Sequence, residues 1–225
     1  MQSQTLRFGL LLAMLASMLV GAPLLDELRT VSGFRLVFTG LYVAGVAAVS
    51  ARRRVFWIGM LLAFPAFVSE WLTYVTSAEA FAVVNTASSS LFIAYTAAVI
   101  LHTILHEKRV STGAVLGGLC IYLLIGIFFV EIFSLVEFLR PGSFAYMGEP
   151  LTAVVGTEAQ YARYPSILYY SFVTLTTLGY GDVVPVSQLT QSLAATEAVL
   201  GQLYLAVFIA RLVGLNMAQA RVEAD

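Results

Sequence analysis

The sequence predicts an all-α membrane protein with six transmembrane helices and a shorter re-entrant helix that leads into a glycine-rich loop. Composition is the first reason, because 60% of the residues are hydrophobic, only 11% are charged and the mean hydropathy is +0.88. A soluble domain of this length needs more charged residues to cover its surface. The second reason is that apolar runs recur at about the 20 residues that a helix needs to cross the hydrocarbon core.

Six apolar runs predict the transmembrane spans: 8–25, 33–50, 55–77, 81–104, 112–138 and 188–215. The first run follows Arg7 as in a signal peptide, but no convincing small-residue cleavage site follows, so we expect it to be a span. A seventh run, 164–177, is too short to cross and ends in glycines. It predicts a re-entrant half-helix, which is tolerated at membrane depth where other parts of the protein shield it.

The distribution of basic residues indicates that both termini are cytoplasmic. In this orientation 8 of the 12 Lys and Arg residues lie inside, including the three consecutive arginines 52–54, and the other 4 lie outside. Acidic residues gather on the outer side, where they would concentrate cations, although they would also gather there by avoiding the inner leaflet. The stretch 140–164, rich in glycine and proline, predicts an external loop.

Residues 174–182 read Thr-Leu-Thr-Thr-Leu-Gly-Tyr-Gly-Asp. Backbone carbonyls can replace the water shell of a cation if successive residues direct them to one axis. Alternating left- and right-handed backbone conformations achieve this, and glycine adopts the left-handed ones without steric cost. Gly179 and Gly181 have the required spacing, and Thr177 adds a hydroxyl at the inner end. The preceding half-helix would direct the negative end of its dipole towards a cation.

This run resembles the TxTTxGYGD signature of tetrameric bacterial potassium channels, and the following Val-Val-Pro-Val-Ser is similar to the family's usual exit from the filter. The resemblance covers about 112–215, half of the chain. It implies a pore domain, 107–225, with these parts: outer helix 112–138, external loop 140–164, pore helix 164–177, filter 177–181 and inner helix 188–215. It also implies a homotetramer around a central pore.

The implied function is passive, potassium-selective conduction, which makes the protein a channel and not an enzyme. The implied K+ ligands are the carbonyls of Thr177, Leu178, Gly179 and Tyr180 with the Thr177 hydroxyl, in a filter that ends at Gly181. No cofactor is expected besides K+ in the filter. Leu178 replaces the family's commoner valine or isoleucine, and because only its carbonyl would face the ion, we expect selectivity to survive.

The resemblance assigns support of the filter to five residues: Tyr169, Tyr170, Val173, Thr176 and Asp182. The two tyrosines stand where many members carry a tryptophan pair, and a tyrosine hydroxyl could hydrogen-bond Asp182 behind the filter. Val173 stands where some bacterial members have a glutamate, so a carboxyl–carboxylate pair with Asp182 is not expected.

On the last span, Gly201 falls at the family's hinge-glycine position, where it either permits bending or allows close helix packing. The same alignment assigns the cavity and gate lining to four residues: Gln202, Leu205, Ile209 and Val213. Glu197 is an ionisable group within a span and is therefore a functional candidate. It would bond the pore helix behind the filter or tune conductance by its charge, and we favour structural hydrogen bonding.

Residues 1–106 predict a four-helix, sensor-like domain without gating charges, because 81–104 contain no Arg, Lys, Asp or Glu. Each charge moved through the field contributes only about 2.3 kcal/mol per 100 mV, so voltage gating needs several. The role of these spans and the gating stimulus are left open.

His102 and His106 have a spacing that suits a metal or a pH sensor, but at an interface they are more often solvated anchors. Arg211 is expected to reach the inner interface from the end of its span.

Four other functions compete: a weakly selective cation channel, a potassium transporter, an intramembrane protease and a silent subunit. The intact Tyr180 argues against a weakly selective channel. The single copy of the filter argues against a transporter, and the lack of a convincing nucleophile or metal cluster argues against a protease. We expect a multi-pass protein of a prokaryotic plasma (inner) membrane that associates with lipid and three further copies of itself. The net charge of −1 gives no hint of nucleic acid, and no soluble partner is identifiable.

Overall fold

The computed structural model describes residues 2–27, 31–50, 53–76, 79–107, 109–151 and 157–224. Within these ranges it contains seven α-helices and three short β-strands. In chain order they are α1 Gln2–Glu27, α2 Val31–Val49, α3 Arg53–Thr76, α4 Glu79–Leu105, α5 Thr112–Leu139, β1 Phe144–Tyr146, β2 Glu149–Pro150, α6 Thr157–Leu175, β3 Val183–Pro185 and α7 Gln188–Ala224.

Helices lie at all six positions where the sequence predicts spans. Five of them, α1, α3, α4, α5 and α7, are long and apolar enough to cross a membrane. In α2 the apolar stretch among the described residues is Val37–Val49, which is shorter than a crossing requires. The structure is therefore that of a helical membrane protein, and the count of six spans stays a prediction.

Helix α5 connects the first four helices with the C-terminal part of the chain, because it contacts α1 and α4 as well as α6 and α7. Ser111 starts this helix: its backbone is extended, at φ −115° and ψ 154°, and its hydroxyl accepts the Ala114 N–H at 3.0 Å. Two glycines allow close approach. A side chain at Gly117 would collide with Phe8 and Ile104, and one at Gly118 would overlap the Phe208 ring.

The described part of the stretch that was predicted to be an external loop, 140–151, is more ordered than the sequence predicts. β1 pairs antiparallel with β2 and with β3, in a register that places Ala145 opposite Val184. Glu137, at the end of α5, fixes this hairpin by accepting the backbone N–H groups of Gly142 and Phe144, each at 3.0 Å. The chain that leaves the glycine-rich loop is therefore attached to the C-terminal end of α5.

Three predicted boundaries are corrected. Helix α6 begins at Thr157 and not at 164, because the polar residues before Pro165 include good helix formers, whereas their polarity suggested a loop. It ends at Leu175 and not at 177, because Thr177 has a φ of +59° that no α-helix accommodates. The last helix, α7, extends to Ala224 and not to 215.

Candidate functional site

A tight turn connects the C-terminus of helix α6 with the glycine-rich loop. The Thr176 N–H bonds the Phe172 carbonyl at 3.1 Å, and the Thr177 N–H bonds the Thr174 carbonyl at 2.9 Å. The Thr176 hydroxyl also donates to the Phe172 carbonyl at 2.6 Å. Thr176 therefore closes the C-terminus of α6 and supports the loop through this turn.

The loop backbone alternates in handedness. Thr177, Gly179 and Gly181 have φ of +59°, +58° and +77°, whereas the intervening Leu178 and Tyr180 do not have positive φ. The glycines were predicted for this role. Thr177 was not, because a non-glycine residue in the left-handed region carries a cost of roughly 1–2 kcal/mol. The predicted alternating geometry is present, and it begins at Thr177, two residues before Gly179.

One carbonyl of α6 anchors two peptides of the loop. The Val173 carbonyl accepts the N–H of Leu178 at 2.9 Å and that of Gly179 at 3.3 Å. In a planar trans peptide the N–H and the carbonyl of the preceding residue point in opposite directions. The carbonyls of Thr177 and Leu178 therefore point away from α6. Val173, whose side chain is buried, supports the loop by its backbone.

The side chains of the loop are uncovered in the single chain. Leu178 is 56% exposed and Tyr180 is 68% exposed. The end of the loop is attached to the β1–β2 hairpin, because the Met147 N–H donates to the Asp182 carbonyl oxygen at 2.8 Å. The backbone of the loop is therefore hydrogen-bonded to α6 and to the hairpin, whereas its large side chains are exposed.

The two tyrosines predicted to support the loop have different surroundings. The Tyr169 hydroxyl hydrogen-bonds the Asp182 side chain. Partial desolvation raises the pKa of this phenol, and the bond with the Asp182 carboxylate raises the pKa further, so the phenol stays a donor at neutral pH. This is the contact that the resemblance implies for one of the pair.

Tyr170 has other contacts, and its support of the filter stays a prediction. Its buried ring packs edge-on against Phe133 at 5.3 Å and Phe144 at 5.1 Å between centroids, and its hydroxyl bonds Thr174. Successive residues of a helix point about 100° apart, so only one of two neighbouring tyrosines can face the loop. Tyr170 instead fixes α6 against α5 and β1.

The inner helix presents its predicted lining residues on an open surface. Gln202, Ile209 and Val213 are exposed and Leu205 is half-buried. Only 6% of the apolar stretch Gln188–Ala220 is buried within the chain. Such an apolar helix needs other protein or lipid to cover it.

Glu197 contacts the pore helix, as favoured from the sequence. Its Oε1 lies 2.5 Å from the Ser171 Oγ, which in turn lies 2.9 Å from the Gly126 carbonyl oxygen. All three helices α5, α6 and α7 therefore meet at the Ser171 hydroxyl, a partner that nothing in the sequence indicated. Glu131 on α5 is another buried acid, and its carboxyl group accepts the Tyr164 hydroxyl at 3.4 Å.

The histidine pair and Arg211 lie at the opposite end of the helices. The centroids of the His102 and His106 rings are 4.2 Å apart, with the ring planes tilted by 31°. Among the described residues no group of three His, Cys, Asp or Glu is placed to hold a metal. Arg211 does not end its span. From the middle of α7 its Nη2 donates to the carbonyls of Ile104 at 2.7 Å and Leu105 at 2.8 Å, which are the last residues of α4.

Comparison with known proteins agrees with this geometry. Residues 115–217 match a family model described as "Ion channel", and they include nearly all of α5, the whole of α6 and the loop, and most of α7. No curated protein and no solved structure matched the chain. The family is one of channels and not of enzymes, and the matched part contains two of the five helices able to span a membrane. The part of the chain that is similar to this ion channel family consists of α5, α6, the glycine-rich loop and α7, and the similarity supports passive ion conduction.

Proposed function

We propose that this protein is a potassium-selective channel in which four identical subunits surround one central pore. The observation that carries the proposal is the alternating backbone of 177–181, with Thr177 and Leu178 directing their carbonyls away from α6. Carbonyl rings of this kind replace the hydration shell of K+. The ligands are the carbonyls of Thr177, Leu178, Gly179 and Tyr180 together with the Thr177 hydroxyl.

Four subunits are required because one chain supplies only one wall of such a ring. The uncovered surface of the single chain supports this assembly. Leu178 and Tyr180 are exposed beside the loop, and α7 exposes large apolar residues that include Val199, Leu203 and Val207. Neighbouring subunits and lipid would cover these side chains.

The contacts at one end of the helices support a common cytoplasmic side for both termini. Glu107 follows α4 and accepts the Gln4 side chain at 2.9 Å from the start of α1. The Arg211 Nη2 donates to the Glu107 carbonyl at 3.1 Å from the C-terminal half of α7. Both α1 and α7 thus contact Glu107. The excess of basic residues at this end of the helices favours its placement on the cytoplasmic face of a plasma membrane.

Conduction is proposed to need no arginine voltage sensor. Helix α4 has no Arg, Lys, Asp or Glu between 81 and 104, so a rearrangement of this helix would move no gating charge through the field. The first four helices then serve as a brace or receive another stimulus.

Ion flux into liposomes that hold the purified protein tests the proposal. We expect K+ uptake that external Ba2+ blocks and that Na+ does not replace. Gly179→Ala should abolish uptake, because alanine cannot hold a φ of +58° without strain. Gly148→Ala is the matched control, since Gly148 also has a left-handed φ, +91°, with open space around it, but lies in the external turn.

Two outcomes favour the competing functions. Equal Na+ and K+ uptake that Gly179→Ala still abolishes would identify a weakly selective cation channel. A silent subunit would show no uptake, and its thermal stability would not depend on the choice between K+ and Na+. A closed potassium channel would also lack uptake but would be stabilised by K+ over Na+, because an ion that binds only the folded filter raises its stability.

A further inference from the structure

Glu197 and Ser171 are in contact inside the protein. If the Glu197 carboxyl group is ionised, the hydrogen-bond acceptors at this contact outnumber the hydrogens that could be donated to them. Both side chains are 0% exposed. The Ser171 hydroxyl has one hydrogen and faces two acceptors, Glu197 Oε1 at 2.5 Å and the Gly126 carbonyl at 2.9 Å. The second carboxyl oxygen, Oε2, has no hydrogen-bond partner among the described residues.

Counting hydrogens distinguishes the two protonation states. An ionised Glu197 would leave Ser171 able to satisfy only one of its neighbours, and Oε2 would be a buried charged oxygen without a donor. A protonated Glu197 donates to the Ser171 Oγ, which frees the serine hydrogen for the Gly126 carbonyl. Both short contacts are then hydrogen bonds, and the chain of bonds runs from α7 through α6 to α5.

The surroundings of Glu197 offer no compensating positive charge. Among the described residues the titratable groups that face it are the phenols of Tyr122 on α5 and Tyr170 on α6. Neither phenol is positively charged in any protonation state. A buried carboxylate without a cationic partner is strongly disfavoured, especially within a spanning helix.

Ser171 is placed where it can act on the loop. It immediately precedes Phe172 and Val173, whose carbonyls accept the N–H groups of Thr176, Leu178 and Gly179. A displacement of Ser171 would move these two carbonyls and the loop peptides they hold. Glu197 therefore reaches the loop through Ser171, without contacting an ion itself.

We propose that Glu197 is a positioning residue that holds the filter in its conducting shape only while its carboxyl group is protonated. Loss of the proton at alkaline pH removes the bond from Glu197 to Ser171 and turns the serine hydrogen away from Gly126. The pore helix then loosens from α5, and conduction falls. The effect on conduction rests on the channel function proposed above, whereas the protonation of Glu197 does not.

Infrared spectroscopy tests the protonation without any flux. The difference between the wild type and Glu197→Gln at neutral pH should contain the C=O stretch of a protonated carboxylic acid. In the Ser171→Ala background the same difference should show this band shifted, because the acid has lost its hydrogen-bond partner. A carboxylate band in place of the acid band would overturn the proposal, even if the protein proved to be a channel.

Flux as a function of pH tests the consequence. Between about pH 7 and about pH 10, ordinary carboxyl groups stay ionised, but thiols, phenols and amines begin to lose protons, so the Glu197→Gln variant decides whether a loss of conduction comes from Glu197. We expect wild-type flux to fall at least about fivefold, the effect of losing roughly one net hydrogen bond. Glu197→Gln, whose amide donates to Ser171 at any pH, should keep its neutral-pH flux throughout.

Glu131→Gln is the matched control, since Glu131 is another buried acid of the domain and its side chain bonds Tyr164 and not Ser171. It should keep the wild-type pH profile. The proposal is overturned if Glu197→Gln declines with pH as the wild type does, if it fails to conduct at neutral pH, or if wild-type flux does not change with pH. A wild type without K+ selectivity but with the acid band and the pH profile would contradict only the potassium assignment.

Discussion

Gly201 of α7 lies directly against Leu175, the last residue of α6. A methyl group on Gly201 would stand 2.7 Å from the Leu175 carbonyl oxygen and 2.8 Å from its Cδ1. Helix α7 runs unbroken through this position. Of the two roles that the sequence left open for Gly201, close packing is visible in the structure, and bending remains a prediction. The glycine lets the inner helix support the end of the pore helix from which the loop emerges.

Gly201→Ala should destabilise the domain by about 1–3 kcal/mol, the usual cost of overpacking a well-packed contact. The collision is with a backbone oxygen, which cannot move aside as a flexible side chain can. Thermal unfolding in detergent measures the change. Gly214→Ala on the same helix is the control, because no atom lies within 4 Å of the added methyl. It should be neutral or stabilising by at most ~1 kcal/mol, and an equal loss in both variants would refute the packing role.

Tyr169→Phe should shorten the time for which the channel conducts, because it removes the hydroxyl that bonds the Asp182 side chain at the exit of the loop. Tyr170→Phe removes a hydroxyl one residue away, but that hydroxyl bonds Thr174 within α6. The decay of K+ flux after its onset should therefore accelerate only in the first variant. Identical decay in the two variants would show that Tyr169 does not support the filter.

Arg211→Gln should weaken the attachment of α7 to the end of α4. The Arg211 Nη2 donates to three backbone carbonyls, those of Ile104, Leu105 and Glu107. Positive charge and donors at a helix C-terminus together stabilise by about 1–2 kcal/mol. Thermal unfolding should show a loss of this size, whereas Arg109→Gln, at an exposed position, should show a loss below about 0.5 kcal/mol. Comparable losses would mean that charge alone, and not the capping contact, is responsible.

Open probability should not change steeply with membrane voltage. The residues between 81 and 104 include no Arg, Lys, Asp or Glu, and each charge that moves through the membrane contributes only about 2.3 kcal/mol per 100 mV to gating. Single-channel recordings at voltages of both signs measure this. A steep dependence would require gating charges elsewhere in the chain.

The sequence was most informative where a physical requirement is local. Apolar runs placed helices at six positions, and the spacing of Gly179 and Gly181 indicated the left-handed residues of the loop. These features depend on residue type along the chain, so they can be recognised without knowing which helices are neighbours.

Features that depend on contacts between distant residues were not predictable. Nothing local shows that Tyr170 turns towards Phe133 while Tyr169 turns towards Asp182, or that Arg211 reaches the end of α4. The left-handed Thr177 also escaped prediction, because its conformation is imposed by the Val173 carbonyl that holds the next two peptides.

The reversal potential of the purified protein in a planar bilayer, with K+ on one side and Na+ on the other, tests the central claim most directly. It reports selectivity independently of how many channels are open. The account predicts a reversal potential displaced strongly in the direction that K+ permeation requires, and no measurable current from Gly179→Ala. A reversal potential near zero in the wild type would contradict potassium selectivity, because it would mean that the carbonyls of 177–180 accept Na+ and K+ alike.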